Sequence, residues 1–178
     1  AVVLATDMIQ SFPIRFEHYY RPGLHRKLGL TEARDGDLEL AQDLLRRMAE
    51  NAADFTLTFR RLSDLVDSSS RHDERVSGLF EDPAAFDEWA VRWRRHLGSE
   101  TRSPEEIQSD MRVVNPAFIP RNHRVEEAIK AAVEQGDLEP FEQLVELLAS
   151  PYEDQPSLER YAEPPRPDQI VRETFCGT

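Results

Sequence analysis

Val125-Glu-Glu-Ala-Ile-Lys-Ala-Ala-Val-Glu-Gln-Gly136-Asp137-Leu-Glu-Pro-Phe-Glu-Gln-Leu-Val-Glu-Leu-Leu-Ala149 is the stretch that decides the fold class. Val125, Ala128, Ile129, Ala132 and Val133 recur at three- and four-residue steps, which places them on one face of a helix. Gly136 can take the left-handed conformation that ends a helix, and Asp137 can cap the next one. Leu138, Phe141, Leu144, Val145 and Leu148 then form a second stripe. The spacing predicts a helical hairpin, stopped at Pro151, where continuing the helix would cost a backbone hydrogen bond.

The same periodicity runs through the rest of the 178 residues, and strand-type alternation is scarce. Leu38, Ala41, Leu45 and Met48 line one face of a segment starting at Asp37; Phe55, Phe59, Leu62 and Val66 line another, and Phe86, Trp89, Ala90, Trp93 and Leu97 a third. Ser103, Pro104 and Glu106 have the pattern of a capping box, and Asp82-Pro83 is a similar helix start. Pro13 interrupts the apolar spacing of Ile9, Phe12, Phe16, Tyr19 and Tyr20, so two segments are expected there rather than one rod. The polar run from Asp67 to Gly78 reads as a mobile loop. The fold class is therefore all-α: an irregular helical bundle or array over residues 1–150, followed by an extended, proline-rich tail over 151–178. Because the chain starts without methionine inside an apolar pattern, an upstream region is expected.

Composition narrows the function. A formal net charge of −12 disfavours nucleic-acid phosphates and anionic membranes as partners. The opening apolar run, Ala1 to Ala5, is too short for a signal or membrane helix, and the expected location is cytoplasmic. The glycines are scattered, so no phosphate-cradling loop is present, and the lysine and Asp-Phe-Gly parts of a kinase site are missing. No catalytic residue and no cofactor site is expected in this chain. The five histidines never recur at four-residue spacing, so no metal site is expected either.

Three places still invite chemistry. Arg121, Asn122 and His123 precede a helix start, where donors and the helix dipole could hold a carboxylate or phosphate. The simpler reading, which we prefer, has Asn122 capping the helix and Arg121 binding loop carbonyls. Arg92, Arg94 and Arg95 beside Trp89 and Trp93 resemble a nucleic-acid surface, but helical geometry turns the tryptophans inward and most of the arginines out. Cys176, the sole cysteine, has no partner for a disulfide within the chain. Arg172 favours its thiolate and Glu173 opposes it.

Asn115-Pro116, Pro120-Arg121-Asn122-His123, Gly136-Asp137, Pro151-Tyr152 with Gln155, Tyr161, Pro164-Pro165 and the ending Thr174-Phe175-Cys176-Gly177-Thr178 occur in one order. Together with Lys27-Leu28-Gly29-Leu30 and the stretch from Asp54 to Ser63, this set closely resembles the C-terminal region of the selenoprotein O family, kinase-like (pseudokinase) protein adenylyltransferases. The resemblance implies a parent enzyme that moves AMP from ATP, with Mg2+, to Ser, Thr or Tyr hydroxyls of protein substrates. It implies an upstream kinase-like catalytic domain that this chain would support. It also puts Cys176 in the place of the family's redox cysteine or selenocysteine; as a sole thiol on a proline-stiffened tail it is expected to form a reversible disulfide with an upstream cysteine of the parent protein. The alternative is a non-enzymatic helical protein-interaction module, since the 125–149 hairpin looks like a single ankyrin or tetratricopeptide pair. The lack of a second copy counts against a solenoid.

Overall fold

Trp89 and Trp93 stand at the centre of the first of two compact units, residues 1–114 and 115–178. The structure is a computed structural model describing residues 2–31, 34–67 and 73–173, without the side chains of 2–5 and 7. The first unit holds α1 (Val2–Lys27), α2 (Asp37–Glu50), α3 (Phe55–Leu62), α4 (Asp73–Ser77), α5 (Pro83–Leu97) and α6 (Pro104–Arg112). The second holds α7 (Asn122–Lys130), a π turn over Ala131–Gln135, α8 (Glu139–Ala149) and 3-10 turns over Pro156–Tyr161 and Pro167–Gln169. The fold is all-α, with no strand among the described residues.

The α5 stripe is buried from end to end: Phe86, Trp89, Ala90, Trp93 and Leu97 all face inward. The two indole rings stack with centroids 5.8 Å apart. Their Nε1 atoms donate to the carbonyls of Leu40 and Leu28, each at 2.9 Å, so burying the apolar rings leaves no donor unsatisfied. On the opposite face Arg92 pairs with Asp43 and Arg94 with Asp73, so these cations are spent inside the unit. Asp43 also accepts from Arg46 and Arg47. Burial opposes its ionisation, but the three guanidinium hydrogen bonds hold its carboxyl down to about 2.

Helix starts follow the sequence. Ser103 and Glu106 form the reciprocal capping box, and Asp82 accepts from the Ala84 amide at 3.0 Å. Gly136 has φ 67°, the left-handed stop. Asp137 accepts from the Glu139 amide at 3.0 Å, although Leu138 holds the N-cap position. Gly29 (φ 76°) is needed twice over: a Cβ there would come within 2.6 Å of Ile107 Cγ2 and 2.8 Å of Met111 Sδ.

Four expectations are corrected. Helix α1 runs unbroken through Pro13 and Pro22. Pro13 deprives only one carbonyl, that of Ile9, of its amide partner, and Ile9 is exposed to water that can satisfy it. The inward face of α2 is Leu40, Ala41, Leu44 and Met48, with Leu38 and Leu45 at its margin. Buried Asp37 meets His96 Nδ1 at 2.6 Å and accepts from the Arg34 amide, which fixes the first turn in that rotation. Part of the expected loop at 67–78 is α4, anchored by the fully buried Val76. Finally, residues 151–161 pack rather than run extended. The Pro151 carbonyl accepts from the amides of Ala117 and Phe118 at 2.8 and 3.1 Å, and Tyr161 is buried.

The described residues contain no helix long and apolar enough to cross a membrane.

Candidate functional site

The chain enters α7 through Arg121, which is extended (φ −65°, ψ 132°) and occupies the N-cap without a side-chain cap bond. The Arg121 carbonyl accepts from the amides of Arg124 and Val125. Asn122 therefore falls inside the first turn, exposed to solvent, and does not cap the helix as expected. Arg121 and His123 are both buried. Burial, reinforced by the guanidinium groups of Arg124, Arg121 and Arg166, pushes His123 below the ordinary histidine value, with Glu127 opposing in part. The imidazole is thus neutral near pH 7, and its Nε2 is buried without a hydrogen-bond partner among the described residues.

Beside it lies a clamp that the sequence reading did not assemble. Arg124 donates to Glu127 (2.8 Å) and to the Arg160 carbonyl (2.7 Å), and its guanidinium lies 5.6 Å from the centre of the Tyr161 ring. Arg160 covers the same ring at 4.8 Å. The Tyr161 hydroxyl donates to Gln143 on α8 at 2.7 Å. One tyrosine thereby joins both helices of the hairpin to the segment after Pro151. Nothing local announces this, because Arg124 and Arg160 are 36 residues apart; Tyr161 was visible only as one member of the family's ordered set.

In the first unit a cavity of about 950 Å³ opens between the second half of α1 and the residues leading into α2. Its charges are mixed: Arg21 pairs with Glu17 at 2.6 Å, and Arg34 binds the Ser99 carbonyl at 2.6 Å. His25 lines it with Nε2 buried and unpartnered. Lys27 is held over Phe55 and Phe59, where burial lowers its pKa, and it donates to the Val114 carbonyl. Among the described residues no group of three or more His, Cys, Asp and Glu could hold a metal ion. Around His123 and Tyr161 the geometry is that of a structural clamp, its guanidinium groups and hydroxyl engaged within the unit. Cys176 lies outside the described residues.

Comparison with known proteins gives the context for this clamp. A family model described as "Protein adenylyltransferase SelO" matches residues 3–149. The protein nucleotidyltransferase YdiU of Bradyrhizobium diazoefficiens is 55% identical over 178 residues, all of this chain and 36% of that protein. Its namesake in Nitrobacter winogradskyi is 53% identical, again over all of this chain and 35% of the relative. That of Methylorubrum extorquens is 52% identical over 183 residues, 37% of its length. The chain thus spans little more than a third of the curated relatives it matches.

Proposed function

Because this chain belongs to the SelO family of protein adenylyltransferases, we propose that it is the C-terminal helical region of such an enzyme and supports a catalytic lobe instead of performing the transfer. The observation behind this reading is the apolar stripe of α1. Phe12, Phe16, Tyr20, Leu24 and Leu28 follow one another at four-residue steps. Leu24 and Leu28 are buried in the unit's core. Phe12 and Phe16 continue the same line into solvent, 63% and 46% exposed, with Phe16 stacked between Phe12 and Tyr20 at 5.9 and 4.8 Å. Met8, Ile9 and Tyr19 widen the exposed patch. So large an apolar surface on one helix is the mark of an interface.

On this reading ATP and Mg2+ are held upstream, the hydroxyl-bearing protein substrate is met there, and Cys176 acts as a tethered thiol that exchanges with an upstream cysteine. The test is a full-length protein carrying Phe12→Ser and Phe16→Ser. AMP incorporation and thermal stability of the full-length protein should fall, while the melting of the isolated 178-residue chain should stay unchanged. Full-length activity and stability indifferent to both changes would refute the supporting role.

A further inference from the structure

The hairpin of the second unit leaves a groove that none of the unit's described residues fills. Ala128, Ile129 and Ala132 on one wall and Phe141, Val145 and Leu148 on the other enclose about 430 Å³ with no polar surface. Ile129, Phe141 and Val145 are each more than half exposed. Helical spacing sets Glu126 on α7 and Glu142 on α8 at the edge of this stripe. Both carboxylates are exposed and form no ion pair among the described residues. Lys130 offsets part of their charge, but residues 115–178 still hold 13 Asp and Glu against 6 Lys and Arg, a formal −7.

We infer that this groove receives an amphipathic helix whose apolar side chains are flanked by Lys and Arg, contributed by the part of the same polypeptide outside these 178 residues. An apolar floor between two parallel walls takes a helix by its i, i+3, i+4 and i+7 side chains, and acidic borders select basic flanks. A second copy of the chain fits poorly, because pairing groove to groove would set the same carboxylates against one another in chains of charge −12. An anionic lipid surface is repelled for the same reason. The relatives are nearly three times as long as this chain, so the source lies within one polypeptide. The assignment rests on the reading that a larger catalytic part exists.

A synthetic Leu/Lys helix, with leucines at i, i+3, i+4 and i+7, is titrated into the 178-residue chain by calorimetry beside a Leu/Glu helix of identical leucine spacing. The Leu/Lys helix should bind saturably at one site, and the Leu/Glu helix at least roughly tenfold more weakly. Val145→Asp, an exposed position that should not impair folding, should weaken the Leu/Lys helix to a similar degree; Phe12→Ser, on α1, should not. The full-length protein should fail to bind it, its groove being filled, and should protect the α8 amides from exchange more than the short chain does. Equal binding of the two helices, or Val145→Asp binding as well as wild type, overturns the site. A full-length protein that takes up the Leu/Lys helix as tightly as the short chain overturns the internal source. Loss of AMP transfer as a finding, with these peptide results intact, would overturn the enzymatic reading alone.

Discussion

Helices α5 and α8 both carry apolar stripes of helical spacing, equally clear in the sequence. In α5 every member of the stripe is buried, with two indoles stacked and hydrogen-bonded in the core. In α8, Leu144 and Leu147 are buried, while Phe141 and Val145, and Leu138 at its N-cap, are each 55% exposed. The inward face of α8 is therefore narrower than its apolar face. Periodicity reports that a helix has a face to cover. It does not report whether the cover lies within the same compact unit.

The largest test of that contrast is truncation on the two buried faces. Trp93→Ala should destabilise the first unit by about 3–5 kcal/mol, and Leu144→Ala the second by about 2–5 kcal/mol, the ranges for buried aromatic and aliphatic side chains. Chemical denaturation followed at each unit's own reporter checks this; a silent Leu144→Ala would mean that the hairpin's inner face has been misplaced.

Glycine provides a second pair. Gly29→Ala combines left-handed strain with a clash on Ile107 and Met111, together about 2–4 kcal/mol. Gly136→Ala meets no atom within 4 Å and should cost only the strain, about 1 kcal/mol. Equal melting shifts would break the distinction. Smaller again, Phe141→Ser in the isolated chain should change stability by no more than about 0.5 kcal/mol, as at a surface site; a core-sized loss would show the groove already covered.

The smallest effect is a pH dependence of the second unit. The folded pKa of His123 lies below the unfolded value of 6.5, so its contribution is intact above that value and is lost as pH falls from there through the depressed folded pKa. Denaturation midpoints of wild type should decline more over that acid window than those of His123→Gln. Parallel declines would remove His123 as the cause.

The helices, the capping box at Ser103 and the inward tryptophans were legible because each depends on neighbours within four residues. Three misreadings share a different cause. Helix α4 exists because Val76 reaches a core assembled from distant segments, α2 is rotated by the Asp37–His96 contact, and Tyr161 is buried between Arg124 and Arg160. The rigid path through Pro13 was misjudged because the cost of a proline depends on whether the orphaned carbonyl meets water, a fact about exposure. At the candidate site, the clamp of Arg124 on Tyr161 was not readable, since its two halves lie 36 residues apart.

The Pro151 carbonyl, which accepts two amides from 117 and 118, has a consequence for the order of synthesis. The first unit draws its core from Leu24 to Met111 and can complete it while the remainder of the chain is still being made. The second cannot close until residue 151 is released and Tyr161 follows, because both ends of its small core wait on those contacts. On the ribosome the hairpin therefore emerges with its apolar groove uncovered and its anchor absent. That interval leaves the groove open to whatever helix it is to receive.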